Sequence, residues 1–154
     1  MADATLRLDE FLPYRLSFTS NLVSETVAEA YRALFDLRIP EWRVIAVVAE
    51  HHGISQQAIG AATRMDKVTV SRAAVALTAR GLLDRTAVPQ DRRSRLLVLS
   101  AAGRALYADV APKALELERR IFSSFGDEEL AAFRATLRKI DGVLLPDAGG
   151  NQRA

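Results

Sequence analysis

The sequence contains no cysteine among its 154 residues. This absence excludes disulfide bonds, cysteine-ligated zinc and a redox switch built on a thiol. Long apolar runs are also absent, since the longest one, residues 44–49, is far too short to span a bilayer. The N-terminus lacks the basic and then apolar pattern of a signal peptide. We therefore expect a cytoplasmic protein with no membrane partner.

Motifs for catalysis are missing as well. The chain has no nucleophile elbow, no glycine-rich phosphate loop and no paired histidine–carboxylate metal motif. His51 and His52 are adjacent, but neighbouring side chains on a helix point about 100° apart and rarely share a metal ion. We therefore expect no catalytic residue, no metal site and no cofactor, and we do not expect an enzyme.

Charged residues are plentiful and unevenly placed. Between Arg64 and Arg104 the sequence has nine basic and three acidic residues, which gives a local charge of +6. The rest of the chain has 12 basic and 16 acidic residues, which gives −4. A basic middle between acidic ends indicates a surface for nucleic acid. The alternative is a solvated charged surface that has no partner.

A helix, a tight turn and a second helix are predicted between residues 55 and 81. Ser55 can cap the first helix and Asp66 the second, because each side-chain oxygen can accept from the free N–H groups of a first turn. The second helix, residues 67–80, should end at Gly81, which is suited to a left-handed C-cap. Its inward stripe is formed by Val70, Ala74 and Leu77.

The outer face of the second helix is formed by Lys67, Val68, Thr69, Ser71 and Arg72, with no acidic residue after Asp66. Arginine reads guanine, hydroxyl groups contact phosphates or bases, and apolar groups contact the thymine methyl. We therefore predict that this face enters the major groove of DNA.

A small hairpin is predicted next. Two β-prone runs, residues 82–88 and 95–99, flank a polar turn of residues 89–94 that is marked by proline and aspartate. Three arginines lie at or beside the tip. A hairpin of this size must pack on the helices to be stable, so its arginines should point outward, where an electronegative minor groove is a natural target.

Four short motifs resemble those of the multiple antibiotic resistance regulator (MarR) family. They are DKVTVSR at residues 66–72, ARGLL at 79–83, DRR at 91–93 and LSAAGR at 99–104. Their order and spacing carry the resemblance, and the flanking helices extend it over nearly the whole chain. The resemblance implies a winged helix-turn-helix protein that forms an obligate homodimer, binds palindromic operators and often releases DNA when a small ligand binds.

The predicted fold is mainly α with a small β-hairpin wing, in a single domain of residues 1–154. Dimerisation helices at residues 1–36 and 104–145 flank a winged helix-turn-helix part at 40–103, and residues 146–154 form a flexible tail. The N-terminal helix has more apolar surface than the winged part can cover, so we expect burial against a second subunit. The helix at residues 41–52 should bury Trp42, Ile45, Ala46 and Ala49.

Each candidate residue has an expected role on double-stranded DNA. Bases would be read by Val68, Thr69, Ser71 and Arg72, and phosphates would be held by Lys67, Ser55 and Gln56. On the wing, Arg93 would enter a minor groove with Asp91 orienting it, and Arg92 and Arg95 would contact phosphates. Two reading helices about one turn of duplex apart require an inverted-repeat operator.

The resemblance also implies an effector site between the dimerisation helices and the DNA-binding part. The residues available there are Tyr14, Arg15, Phe18, Trp42 and Tyr107. Arg15 would bind a carboxylate while aromatic neighbours stack on a ring, which suggests an aromatic acid or its conjugate. The alternative is that Arg15 forms a surface or intersubunit salt bridge and the aromatic residues belong to the core.

The sequence thus predicts a homodimeric, sequence-specific transcription regulator, with a ligand-released repressor as the favoured form. One alternative is an architectural DNA binder without an effector, which would show a strong salt dependence and little sequence preference. The other is a winged-helix module that binds a protein partner, which would not bind DNA even at low salt. The fold by itself does not decide between them.

Overall fold

Six α-helices and one two-stranded hairpin make up the computed structural model, which describes residues 5–88 and 90–145. The helices are α1 (Leu12–Phe35), α2 (Ile39–Ala49), α3 (Gln56–Thr63), α4 (Lys67–Ala79), α5 (Ala101–Ile121) and α6 (Asp127–Leu144). The strands β1 (Leu83–Val88) and β2 (Asp91–Leu99) are antiparallel. The predicted mainly α fold with a small hairpin is confirmed. The tail predicted at residues 146–154 lies outside the described residues.

The helix caps predicted at Ser55 and Asp66 form, and Ser100 caps α5 in the same way. The side-chain oxygens of Ser55, Asp66 and Ser100 each accept a hydrogen bond from the backbone N–H three residues later, at 3.1, 2.8 and 3.0 Å. These bonds satisfy donors that the first turn of a helix leaves free. The starts of α3, α4 and α5 therefore follow from the local sequence.

The end of α4 is closed by Gly81, as predicted. Gly81 has a φ of +71°, which glycine adopts without strain. Its N–H donates to the Thr78 carbonyl at 3.0 Å, and the Leu82 N–H donates to the Leu77 carbonyl at 2.9 Å. This pair of bonds is the Schellman motif. The helix itself ends at Ala79, one residue before the predicted end.

The core lies around α2, which packs against α1, α3, α4 and β2. Its fully buried apolar residues are Val44, Ile45 and Val48. The predicted buried side was therefore wrong in part, because Ile45 is buried while the other three members of that set are half-buried. A helix with neighbours on several sides buries more than one stripe, so a single-stripe pattern cannot identify all of its core residues.

The long helix α1 is confirmed, but its burial is uneven. Residues 12–22 are all exposed within one chain, whereas Tyr31 near the C-terminal end is buried. Leu34, an apolar residue of the same half, is also exposed. The C-terminal half of α1 therefore makes the contacts with its own chain.

The hairpin turn is shorter than predicted. Strand β2 begins at Asp91, so residues 91–94, which the sequence assigned to the turn, belong to the strand. The pairing steps from Ala87 opposite Arg95 to Val88 opposite Asp91, so three residues of β2 form a bulge. A run of polar residues does not distinguish a turn from a bulged strand, which explains the wrong boundary.

Two contacts hold the base of the hairpin against the helices. Ile54, just before α3, exchanges backbone hydrogen bonds with Leu97 of β2 at 2.8 and 3.1 Å. At the start of α5, the Ser100 N–H donates to the Leu82 carbonyl at 3.1 Å. Gly103 lies so close to this segment that an added Cβ would overlap the Leu82 carbonyl oxygen.

The chain divides into two compact units, Met1–Leu117 and Glu118–Ala154. In the second unit, Arg134 forms an ion pair with Glu118 at 3.0 Å, and the Phe122 and Phe125 rings meet edge-on with centroids 6.0 Å apart. Within the part of the chain that the structure describes, every helix is too short or too polar to cross a membrane.

Candidate nucleic-acid interface

Helix α4 buries one face in the core and exposes the other. Val70, Ala74 and Leu77 are buried, as predicted, and Ala73 joins them. The predicted DNA-reading residues lie on the remaining surface. Lys67, Val68 and Arg72 are exposed, while Thr69 and Ser71 are half-buried. The outer face is therefore present with the composition that the sequence indicates.

Val75 extends this face and was missed by the sequence analysis. It is 58% exposed, similar to Val68 at 57%. Because Val68, Arg72 and Val75 follow i, i+4, i+7 spacing, they lie on one side of α4. Extending this helical spacing from Val68 and Arg72 toward the C-terminus of α4 would have identified Val75. We call these three residues the α4 strip.

The first turn of α4 is held by a pair formed by Asp66 and Thr69. The Thr69 N–H donates to Asp66 Oδ1 at 2.8 Å, and the Thr69 hydroxyl donates to Oδ2 at 2.9 Å. The backbone bond and then the hydroxyl bond lower the pKa of the Asp66 carboxyl group. Since its proton is used in the cap, the Thr69 hydroxyl is left with its oxygen as an acceptor.

The turn between α3 and α4 brings polar residues of both helices to one groove. The groove has a volume of about 560 Å³ and is lined by Gln56, Gln57, Gly60, Met65, Lys67 and Val70. Two predicted phosphate contacts, Gln56 and Lys67, therefore lie together. The Ser55 oxygen accepts the capping bond of α3, which leaves its hydroxyl proton for a phosphate oxygen.

Asp91 organises the backbone of the wing. Its Oδ1 accepts from the Arg93 N–H at 2.9 Å, and its Oδ2 accepts from the Ser94 hydroxyl at 2.6 Å. The Ser94 bond and then the Arg93 bond lower the pKa of Asp91. Arg93 is exposed, and Arg95 Nη1 donates to the Ser94 carbonyl at 3.2 Å. The side chain of Arg92 lies outside the described part of the chain.

Three of the described basic residues in the middle of the chain donate to backbone carbonyl groups: Arg95 to its neighbour Ser94, and Arg80 and Arg104 to residues farther away in the sequence. Arg80 Nη1 donates to the Asp36 carbonyl at 2.8 Å, and Arg104 Nη1 donates to the Leu99 carbonyl at 2.9 Å. No local pattern indicates the Arg80 bonds, because the Asp36 and Phe35 carbonyls are 44 and 45 residues away. A count of basic residues therefore overstates the charge that is available to DNA.

The five predicted effector residues lie in two separate places on one chain. On the exposed part of α1, the Tyr14 and Phe18 rings have centroids 6.0 Å apart, and the Arg15 guanidinium lies 5.1 Å from the Phe18 ring centroid. Trp42 contacts the other end of α1, at Tyr31, and stacks on Tyr107. Phe18 and Tyr31 are 13 residues apart, or about 20 Å along the helix. One chain does not bring the two groups together.

Trp42 of α2 contacts both α1 and α5. Its ring stacks on Tyr107 of α5, with centroids 5.8 Å apart, and meets the Tyr31 ring of α1 edge-on at 5.7 Å. Burial raises the pKa of Tyr31. Tyr107 also lines a cleft of about 500 Å³, whose other residues are Val48, Ala49, His51, His52, Val98, Leu99 and Arg104.

The cleft combines apolar walls with nitrogen donors. His51 Nδ1 lies 2.7 Å from the Val47 carbonyl, so this nitrogen carries a proton. Arg104 adds a guanidinium, and no residue that lines the cleft is acidic. Among residues 5–88 and 90–145, no group of three or more His, Cys, Asp or Glu side chains could hold a metal ion. The chemistry of the cleft therefore suits a small anion with an apolar body.

A sequence profile of the MarR family matches residues 35–94, which include the helix-turn-helix and most of the wing. Among curated proteins, the transcriptional regulator HosA of Escherichia coli O111:H- is 28% identical over 119 residues. The aligned region covers 77% of this chain and 88% of HosA.

Solved structures share the fold over most of the chain. A probable transcriptional regulator from Pseudomonas aeruginosa has a TM-score of 0.80 at 27% identity, covering 87% of this chain and 99% of that one. CouR from Rhodococcus jostii RHA1, bound to p-coumaroyl-CoA, has a TM-score of 0.79 at 26% identity, with coverage of 88% and 95%. These relatives are regulators rather than enzymes. The chain therefore resembles MarR family transcription regulators, in sequence over residues 35–94 and in fold over most of its length.

Proposed function

We propose that the protein is a homodimeric repressor that binds an inverted-repeat operator and releases it when a small carboxylate ligand binds. The observation that carries the DNA-binding part is the α4 strip, in which one arginine lies between two exposed valines. An arginine can form two hydrogen bonds with guanine, and valine side chains contact thymine methyl groups. No acidic residue lies on α4 to repel the phosphates.

In this proposal the outer face of α4, from Lys67 to Val75, lies in the major groove. Arg72 and the two valines of the α4 strip contact base edges, with Ser71 and Thr69 as further readers. Lys67, Gln56 and Ser55 hold phosphates beside the groove between α3 and α4.

On the wing, the short hydrogen bonds of Asp91 fix the backbone that carries Arg93, which enters the flanking minor groove. Arg92 and Arg95 contact the phosphates there.

The dimer follows from apolar surface that one chain leaves exposed. On α1, Leu12 is 72% exposed, and Leu16, Phe18 and Leu22 are exposed as well. On α6, the exposed apolar residues include Phe133, Val143 and Leu144. A second copy that covers these helices removes the surface from water. The proposal therefore assigns residues 1–36 and 104–145 to dimerisation and residues 40–103 to DNA binding.

The effector is proposed to bind in the cleft beside Tyr107. The Arg104 guanidinium has N–H groups beyond the one bonded to Leu99, and these suit a carboxylate. Because CouR binds p-coumaroyl-CoA, we propose an aromatic acid or its conjugate as the ligand class. Tyr14, Arg15 and Phe18 would join this site from a second copy, since they lie about 20 to 26 Å from Tyr31 along their own helix.

Selection of bound duplexes from a random pool tests the DNA-binding part. We expect an inverted repeat whose half-sites are about 10 base pairs apart, with two chains on each duplex. An Arg72→Ala variant should enrich a weaker consensus at one base pair in each half-site. As a control, Arg43→Ala removes an exposed arginine of α2 and should enrich the wild-type consensus.

Other results of the selection would point to the alternatives. Strong, salt-dependent binding without a consensus would indicate an architectural DNA binder. Failure to bind any duplex at low salt would indicate a protein-binding module, and the proposed function would be wrong.

The effector can be followed by tryptophan fluorescence, because Trp42 is the single tryptophan of the chain and stacks on Tyr107. Benzoate, p-coumarate and p-coumaroyl-CoA would be titrated into the protein and into its DNA complex. We expect one of them to change the fluorescence saturably and to release DNA over the same concentration range. Arg104→Gln should weaken this response. If Arg15→Gln abolishes it and Arg104→Gln does not, the carboxylate binds on α1.

A further inference from the structure

Arg80 connects the C-terminal end of α4 to the C-terminal end of α1. Its Nη1 donates to the Asp36 carbonyl at 2.8 Å, and its Nη2 donates to the Phe35 carbonyl at 3.4 Å. Asp36 adopts a left-handed conformation that ends α1. Carbonyl groups at a helix C-terminus carry partial negative charge, which a guanidinium stabilises. Arg80 therefore forms a bridge between two helices.

Other bonds hold the same end of α4 in place. Gly81 and Leu82 complete the Schellman motif, and the Ser100 hydroxyl donates to the Gly81 carbonyl at 2.6 Å. The opposite end of α4 carries the exposed residues Lys67 and Val68. A helix of 13 residues is about 20 Å long, so a rotation of about 10° about its C-terminal end moves its first turn by about 3 Å. Small changes at Arg80 are therefore amplified at the DNA-reading end.

We propose that Arg80 is a positioning residue that sets the direction of α4 relative to α1, and through it the separation of the two reading helices. This inference rests on the proposed function, in which α1 joins the two chains. A planar guanidinium bonded to two carbonyl groups fixes direction as well as distance, which a point charge does not. Arg80 thereby selects operator spacing without contacting DNA.

A phosphate contact is the competing role, because Arg80 is exposed and lies in the basic middle of the chain. The two roles differ in their response to Arg80→Lys, which keeps the charge but loses the planar fork. They also differ in the salt dependence of binding, since losing a phosphate contact reduces the salt slope by about one charge.

Competition binding to the selected operator, with base pairs inserted between its half-sites, separates the two roles. We expect the wild type to prefer the natural spacing, and both Arg80→Lys and Arg80→Gln to reduce that preference about tenfold. Both variants should keep the wild-type salt slope on a scrambled duplex. Arg85→Gln, which removes an exposed arginine of β1, serves as a control and should keep the spacing preference. If Arg80→Lys behaves as wild type while Arg80→Gln lowers the salt slope, the positioning role is wrong.

A measurement without DNA makes the test independent of the operator. Because the chain has no cysteine, Val75→Cys gives a single spin-label site on α4 in each chain. Pulsed electron paramagnetic resonance then reports the distance between the two α4 helices. We expect one narrow distribution, which both Arg80→Lys and Arg80→Gln broaden or displace, while circular dichroism shows unchanged helix content. An unchanged distribution in both variants overturns the role of Arg80 alone. If no distance between two labels is detected, the chain is not a dimer under these conditions, and both the proposed dimer and this inference are wrong.

Discussion

Replacing Gly103 by alanine tests how α5 is joined to the helix-turn-helix. The added methyl carbon would overlap the Leu82 carbonyl oxygen and would lie 3.1 Å from the Leu82 carbonyl carbon and 3.3 Å from Leu99 Cδ2. Backbone atoms cannot rotate aside as a flexible side chain can. The start of α5 must therefore move away from Leu82 by a distance on the order of 1 Å.

The cost of that movement can be worked from the bonds that it breaks. Overpacking of this kind costs about 1–3 kcal/mol. A shift of about 1 Å also breaks the bonds that Ser100 donates to the Leu82 and Gly81 carbonyls, at about 1 kcal/mol each. Alanine recovers up to about 1 kcal/mol through its higher helix propensity. The net loss in the free energy of unfolding is about 2–4 kcal/mol.

Urea unfolding followed by circular dichroism, at one fixed protein concentration, measures this loss. Gly142→Ala is the matched control, because Gly142 also lies in a helix but an added Cβ would meet nothing within 4 Å. The free energy of unfolding of the control should rise by about 0.5–1 kcal/mol. The same substitution should therefore stabilise the protein at position 142 and destabilise it at position 103. If Gly103→Ala is as stable as the wild type, the close approach of α5 to Leu82 is wrong.

The remaining predictions concern α4 and the wing. Arg72→Ala should weaken operator binding by about 1–3 kcal/mol and relax specificity, whereas Lys67→Ala should weaken all duplexes equally and reduce the salt slope by about one charge. Arg93→Ala should lower operator affinity at moderate salt, and an unchanged affinity contradicts the wing assignment. The pKa of Asp66 is lowered by its bonds from Thr69, so its stabilising effect is complete above the unfolded pKa near 4 and is lost as the pH falls through the lower folded pKa. The stability difference between wild type and Asp66→Ala, measured by urea midpoints, should therefore shrink as the pH falls below about 5.

Local signals in the sequence were sufficient to predict much of the fold. Ser55, Asp66 and Ser100 act on the backbone N–H three residues later, so each cap can be read without knowing the tertiary structure. Gly81 likewise ends α4 through hydrogen bonds within its own turn. The outer face of α4 was predictable for the same reason, since helical spacing alone separates it from the buried stripe.

Features that depend on distant partners could not be predicted. Arg80 and its carbonyl partners on α1 are 44 and 45 residues apart, and nothing in the local pattern distinguishes it from an arginine for DNA. The burial of Val44 and Val48 depends on how many elements surround α2. The effector residues show the same limit, because the family resemblance groups side chains from α1, α2 and α5, and one chain holds them in two places.

In the proposed function, two copies of this chain read one operator through α4. A binding titration against the intergenic DNA upstream of the protein's own gene, beside a scrambled duplex and at two salt concentrations, tests it most directly. We expect two chains bound per site, and an affinity for the upstream DNA at least about a thousandfold above that for the scramble. Equal affinity for the two duplexes, or no binding to either at low salt, would contradict it.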